Sequence, residues 1–568
     1  IVRRKSLLAT RKLWANLSNQ YLEREGFDAR ITEKSYADLG INLEPTRHRG
    51  WVADKLGAMG INSYVVAENA AIFAHNQAML IVNPGAILPE ITNQTATFTQ
   101  TQLLKAIQKR IGDDDKVVAS VFEAALQQAV VVGEGIDGQI RYTSQTYQAL
   151  EAQAIKTTAT LINTPFAQSK LSRESSEVHL ATNFAYLSKA QKDAVLGLTQ
   201  NQSLAVLIGR AGAGKTTTLK AVCQIYQKAG HRVIGTALSA MAAENLAQET
   251  GIKTATLHSW LYKWERYQSA QAKFLSFTNV MEEGLFKQLD WYQDLKRFES
   301  ARLTKDTVLI LDEAGMVGTL QWGELLKHVQ NAGAKLIVAG DDHQFKAIAA
   351  GDFFREIKHQ AEFQTTHQNQ SFVEHQFAQL STSLTTPPDH CQDSQIPHLF
   401  NLKEIRRQQH GWMQEASHQL AELNISEGLS IYEQRGHIHQ TNQEDLSENI
   451  ATAYLKKLKT GLGGTQQTGL VLAFTNAQTN VINQTIREQL KQNDMIGKED
   501  LFELNGHSFA IGDRIVFLKN TKTLLTIMDI DGVVQPKKSI KNGTQGSIAG
   551  VDKQGNIKIH LADNCRSE

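Results

Sequence analysis

The sequence predicts an α/β fold on a parallel sheet, and three apolar runs predict it. Leu204-Ala-Val-Leu-Ile208 leads into the glycine-rich turn Gly209-Arg-Ala-Gly-Ala-Gly-Lys-Thr216 and then a helix-compatible segment. Thr307-Val-Leu-Ile-Leu311 ends in the paired carboxylates Asp312 and Glu313, and Lys335-Leu-Ile-Val-Ala339 ends in Gly340-Asp341. Short continuous apolar runs between helical stretches describe strands buried on both faces, as in a sheet with crossover helices.

The glycine-rich turn carries the chemistry. Gly209, Gly214, Lys215 and Thr216 satisfy G-x-x-x-x-G-K-[ST], with Gly212 between them and Thr217 after them. Glycines let the backbone curl its N–H groups around phosphate oxygens, and the following helix offers its positive end to the anion. Lys215 would reach the β- and γ-phosphates of ATP, and Thr216 would place its hydroxyl on Mg²⁺. Asp312 would hold the same Mg²⁺ through water, while Glu313 would orient or deprotonate the attacking water. The alternatives are a strand-to-helix turn with a chance lysine and a strand ending in two solvated acids.

Composition sets wide bounds. A chain of 568 residues with 41% hydrophobic content suits several buried cores. Its formal charge of +1 gives no vote on a nucleic-acid partner, so any basic groove must be local. Three cysteines, Cys223, Cys391 and Cys565, lie too far apart for a C-x-x-C pair and suggest a reducing, cytoplasmic setting. The most apolar stretch, residues 70–82, contains His75, Asn76 and Gln77, so no membrane span is expected. The opening Ile1 suggests a fragment or processed product.

Taken in order, residues 6–25 place Trp14, Leu17 and Tyr21 at helical spacing before Gly26. Helical patterns at 102–111 and 117–129 precede a short polar strand at 139–142, after which Thr143 or Ser144 caps another helix. Gln191 stands shortly before the glycine-rich turn; its amide suits an adenine edge, with a water-facing helix start as the alternative. Beyond the turn come a strand at Arg232–Gly235, a helical stretch at 238–246, and Thr256-Leu-His-Ser-Trp260. Trp260 is a candidate for stacking on single-stranded DNA bases, with a core position as the alternative.

Several of these stretches together resemble a known family. Leu13-Trp-Ala-Asn-Leu-Ser-Asn-Gln-Tyr-Leu22, Ala29-Arg-Ile-Thr-Glu-Lys-Ser35 and Pro45-Thr-Arg-His48 resemble the end of a MobA/MobL relaxase domain. Gly340-Asp-Asp-His-Gln344 resembles helicase motif III, and Phe400-Asn-Leu-Lys-Glu-Ile-Arg-Arg407 resembles motif IV. In this order the motifs resemble the helicase portion of Ti-type, TraA-like conjugative transfer relaxases, with RecD-like superfamily 1 helicases as more distant relatives.

The resemblance implies RecA-like P-loop NTPase motor domains, a helical N-terminal accessory domain and a small β-barrel insertion near the C-terminus. It implies that Gln344 senses the γ-phosphate, that Arg407 stabilises charge on it, and that single-stranded DNA and the conjugative transfer machinery are partners. The expected boundaries are a relaxase tail at 1–50, the accessory domain at 51–185 and the first motor domain at 186–362. A polar linker at 363–398, a partial second motor domain at 399–504 and the barrel at 505–568 follow. Gly469-Leu-Val-Leu-Ala-Phe474 is expected as a buried strand of the second motor domain, and Arg514 and Lys519 as phosphate contacts on the barrel. The nicking tyrosine and histidine cluster would lie upstream of Ile1, and the last DNA-gripping motif and arginine finger downstream of the barrel. Two readings follow: an ATP-dependent DNA helicase module, and a truncated remnant that binds nucleotide without unwinding. A RecD-like repair helicase is a weaker third.

Overall fold

The computed structural model describes residues 43–45, 64–277, 290–341, 351–362, 399–459 and 469–561, with short breaks inside those spans, among them 211, 405–407 and 518–524. The helix expected at 6–25, the polar stretch at 363–398, and Gln344, Arg407 and Lys519 lie outside the described residues. Two compact units emerge among the described residues, one within Lys34–Ile431 and one within Tyr432–Glu568.

The first unit begins with helices α1 (Tyr64–Val82), α2 (Gln100–Ile111) and α3 (Asp115–Gln128), followed by the hairpin of β1 (Val130–Glu134) and β2 (Ile140–Thr143). Thr99 and Gln102 form a reciprocal capping box at the start of α2, and Gly112 ends it at φ 82°. Leu80, Leu103, Ile107, Val118, Val121 and Ala125 face one another in a small core that also takes Leu43. Glu90 and Arg110 make a buried ion pair beside it.

The remaining helices serve the large sheet. Ser144 caps α4 (Gln145–Asn163) by accepting from the Tyr147 N–H, and Ala154, Leu161 and Ile162 of α4 share a core with Leu204, Val206 and Ile208. On the other face, Leu180 of α5 (Arg173–Asn183) and Val195 of α6 (Lys189–Leu198) pack with Leu207 and Val222. The N-terminal helical core therefore ends with the β2 hairpin, and the helices that follow up to the expected boundary at 185 pack on the large sheet. A sheet buried on both sides needs helical cover on each, and α4 to α6 supply part of it.

The sheet runs β5-β4-β6-β7-β3-β8, and every neighbouring pair is parallel. In chain order it comprises β3 (Leu204–Gly209), α7 (Lys215–Lys228), β4 (Arg232–Ala237), α8 (Ala240–Thr250), β5 (Lys253–Thr256), α9 (Leu257–Phe277) and α10 (Asp290–Phe298). There follow β6 (Thr307–Leu311), α11 (Thr319–Ala332), β7 (Lys335–Gly340) and, after a long excursion, β8 (Leu399–Leu402) and α12 (Gly411–Ala421). All residues of β3, β6 and β7 are buried, which is why their sequences read as unbroken apolar runs.

β8 corrects the expected start of a second motor domain at 399. Phe400 pairs in register with Leu207, so Leu399–Leu402, which opens the motif IV segment, is an edge strand of the first sheet. Its ring lies where a side chain on Gly197 of α6 would stand, and glycine permits that approach.

The second unit holds α13 (Leu446–Lys459), α14 (Asn476–Gln492) and short antiparallel strands. β9 (Asp500–Leu504) pairs with β10 (His507–Ala510), and β12 (Leu525–Met528) with β13 (Val534–Lys537). β11 (Arg514–Val516), β14 (Gln545–Val551) and β15 (Ile557–Leu561) form a three-stranded sheet. Short strands are thus present where a barrel was expected, arranged among the described residues as three separate sheets. Gly469–Phe474 is no strand here: Leu470, Leu472 and Phe474 are 84%, 83% and 99% exposed. Its apolar pattern has no ladder partner among the described residues, and an unpaired segment cannot bury alternate side chains.

Among the described residues no helix is long and apolar enough to cross a membrane.

Candidate nucleotide site

The site begins where β3 ends. Gly212 and Gly214 both adopt φ 81°, the left-handed region that a side chain disfavours, and so turn the chain back toward the start of α7. The Lys215 ammonium donates to the Gly209 carbonyl at 2.5 Å and to the Arg210 carbonyl at 3.3 Å. A Cβ on Gly209 would sit 2.8 Å from Lys215 Cγ, so the first glycine makes room for the lysine stem. Thr216 and Thr217 follow, half-buried in the first turn of α7, whose unpaired N–H groups face the cradle.

Gln191 supports this loop from α6. Ser188 caps the helix and accepts from the Gln191 N–H at 3.3 Å, while Gln191 Oε1 accepts from the Ser188 N–H at 3.1 Å. Its Nε2 reaches the Gly214 carbonyl at 3.4 Å, and the residue is only 4% exposed. The water-facing alternative is thereby overturned: this amide is built into the wall behind the phosphate loop.

The two acids come from the end of β6. The Asp312 N–H donates to the Thr236 carbonyl of β4 at 2.9 Å, extending the ladder by one step. Asp312 Oδ1 then accepts from the Glu313 N–H at 2.9 Å. Glu313 is left-handed at φ 54°, one of few non-glycine residues so placed, and such strain costs on the order of 1–3 kcal/mol. Burial raises the Asp312 carboxyl above its ordinary range, with the Glu313 N–H and the Lys215 charge pulling the other way. Burial and then the neighbouring Asp312 raise Glu313, again opposed by Lys215. Two desolvated carboxylates within electrostatic reach of one ammonium form a site that rewards a further cation. A threonine hydroxyl and a carboxylate, the donor types of Thr216 and Asp312, are hard oxygen ligands of the kind that Mg²⁺ takes beside phosphate oxygens.

Trp260 takes the core position. It is fully buried, donates from Nε1 to the Gly235 carbonyl at 2.9 Å and stacks on Trp264 with centroids 5.9 Å apart. The apolar face of α9 packs against the sheet, so base stacking by Trp260 is excluded. Arg514 is exposed at the start of β11. The sequence reading missed Arg210: its side chain meets His418 of α12, a contact across 208 residues that no local pattern announces.

Sheet order, loop and carboxylates together define a P-loop nucleotide-binding α/β domain of the RecA-like class. Comparison with known proteins agrees. The AAA domain family matches residues 186–386 and the MobA/MobL family matches residues 2–58, so the chain joins these two kinds of segment, as its residues suggested. It is 29% identical over 532 residues to conjugal transfer protein TraA of Rhizobium radiobacter, covering 90% of this chain and 41% of the relative. TraA of Agrobacterium fabrum is 27% identical over 538 residues, with the same coverage of 90% and 41%. The multifunctional conjugation protein TraI of Escherichia coli is 20% identical over 381 residues, 61% of this chain and 20% of its own. The chain therefore spans about two fifths of the TraA proteins that it matches. Among solved structures, the Pif1 helicase from Candida albicans aligns with TM-score 0.32 and 17% identity over 67% of this chain and 77% of its own.

Proposed function

We propose that this chain is the ATP-dependent DNA helicase or translocase module of a conjugative relaxase, acting in the cytoplasm on single-stranded DNA alongside the conjugative transfer machinery. The observation that carries the nucleotide part is the convergence of Lys215, Asp312 and Glu313 at one end of the parallel sheet. The similarity to conjugal transfer proteins over most of the chain supports the DNA part.

In this reading the loop N–H groups and Lys215 bind the β- and γ-phosphates, and Glu313 holds the attacking water by accepting its proton. Mg²⁺, held by Thr216 and Asp312, neutralises charge on the phosphate oxygens when bound. Gln191 keeps the loop in shape, its amide held between the Ser188 N–H and the Gly214 carbonyl rather than turned to an adenine edge. Gln344 and Arg407 are assigned to the γ-phosphate, and Arg514 and Lys519 to DNA phosphates. A second reading, nucleotide binding without unwinding, is favoured by the exposed apolar segment Leu470–Phe474 in the second unit.

ATP turnover measured with and without single-stranded DNA decides between them. The helicase reading expects stimulation by DNA and, for Lys215→Ala, a loss of about 10²–10³-fold or more, the scale of removing one preorganised charge from a transition state. Saturable nucleotide binding with no DNA-stimulated turnover would establish the second reading instead.

A further inference from the structure

Arg210 stands at the first step of the phosphate loop, and its two ends face different partners. Its carbonyl accepts from the Lys215 ammonium at 3.3 Å. Its side chain leaves the loop for the last turn of α12, where Nη1 lies 2.8 Å from His418 Nδ1 and Nη2 lies 3.7 Å from Glu422 Oε1. His418 Nε2 is in turn 3.2 Å from the same Glu422 oxygen. Guanidinium nitrogens only donate, so His418 accepts at Nδ1 and a proton on Nε2 points at Glu422. One tautomer satisfies both contacts. The Arg210 side chain is 16% exposed, against 43% and 45% for its partners, so it is the enclosed member of the group. A cation at a helix C-terminus also complements the unpaired carbonyls there.

This arrangement has a consequence for phosphate binding. A phosphate in the loop competes with the Gly209 and Arg210 carbonyls for the Lys215 ammonium. The backbone of Arg210 is then released from one of its restraints while its side chain stays on α12. We propose that Arg210 is a positioning residue that transmits phosphate occupancy of the loop to α12, through His418 and Glu422. α12 follows β8 and the segment carrying Arg407, so the coupling would bring a nucleotide-dependent change to that part of the chain. The inference rests on the nucleotide-site reading and adds to it a route out of the site.

Hydrogen exchange of the full chain with and without saturating ADP and Mg²⁺ tests this. In the unsubstituted chain, peptides over Gly411–Ala421 should change their exchange rate about fivefold on ADP binding, the low end of ordinary coupling between sites. With ADP raised until each variant is saturated, Arg210→Ala should reduce that change below about twofold, and Arg210→Lys, which can still donate to one acceptor, should restore part of it. A purely structural arginine would alter α12 protection equally with and without ADP. Glu422→Gln with His418→Ala removes the same link from the helix side should Arg210→Ala fold poorly, and the same loss of nucleotide response is expected. No ADP-dependent change in α12, or a change that survives every one of these substitutions, overturns the coupling and leaves the nucleotide site standing. Absence of ADP binding in the unsubstituted chain overturns the nucleotide reading and the coupling with it.

Discussion

The two units are built on opposite terms. In Lys34–Ile431, strands β3, β6 and β7 are wholly buried between two large apolar cores, and the nucleotide site grows from their ends. In Tyr432–Glu568, buried apolar residues among those described are few, such as Ala451, Leu455, Ile482, Ala510 and Ile548, while Leu470, Leu472 and Phe474 face outward. Electrostatics adds what apolar burial does not: Arg487 of α14 bridges Asp500 and Asp513, and Lys491 joins Asp500 at 2.8 Å. The Arg487–Asp513 pair is largely enclosed and the contacts to Asp500 are more open, so a compact charge network stands in the second unit where the first has apolar cores. Preorganised chemistry sits where burial fixes the backbone, and among the described residues the parallel sheet supplies that frame.

Substitutions put that contrast to the test. The largest expected effect is Trp260→Ala, which removes a fully buried ring and its hydrogen bond to the Gly235 carbonyl; urea unfolding should show a loss of about 3–5 kcal/mol. Wild-type stability in this variant would mean that the ring is no part of the core.

Next comes Lys335, fully buried at the start of β7, with its Nζ on the carbonyls of Gln200 and Gln202 at 2.6 and 2.8 Å. Burial holds its pKa well below the ordinary 10.5. Below 10.5, and above the depressed folded value, the unfolded chain binds more protons than the folded one, so stability rises with pH through that window. The slope reaches at most about 1.4 kcal/mol per pH unit, and Lys335→Met should remove it when unfolding midpoints are compared across pH 8 to 10, roughly the upper part of that window.

Ser188→Ala is expected to cost about 1 kcal/mol by deleting the hydroxyl that accepts from the Gln191 N–H, and to weaken nucleotide binding only through fraying at the start of α6, because Gln191 Oε1 keeps the backbone N–H of residue 188. A stability loss with unchanged nucleotide affinity would separate the cap from the loop. The smallest effect is expected at the exposed segment, where Leu472→Ser should shift stability by no more than about 0.5 kcal/mol. A large loss there would place that side chain in a core and erase the contrast.

The phosphate loop, the β6 carboxylates and the β7 strand were legible because each is a local pattern: an apolar run, then glycines or acids at fixed spacing. Glycines at Gly212 and Gly214 answer a backbone demand that sequence displays directly. Phe400 was legible as part of a motif but not as the sixth strand, since parallel pairing to Leu207 joins segments far apart in the chain. Gly469–Phe474 misled for the complementary reason: an apolar, strand-competent run records capacity for pairing, and no partner strand meets it among the described residues.

The class of fold and the candidates Lys215, Thr216, Asp312 and Glu313 are readable from residue order, because phosphate and metal chemistry impose residue types at short range. Tertiary structure alone decided that Trp260 is core, that α4 to α6 cover the large sheet, that Gln191 backs the phosphate loop and that Arg210 reaches α12. Those outcomes depend on which faces remain to be buried and which distant donors need acceptors, quantities that exist only once the whole unit has packed.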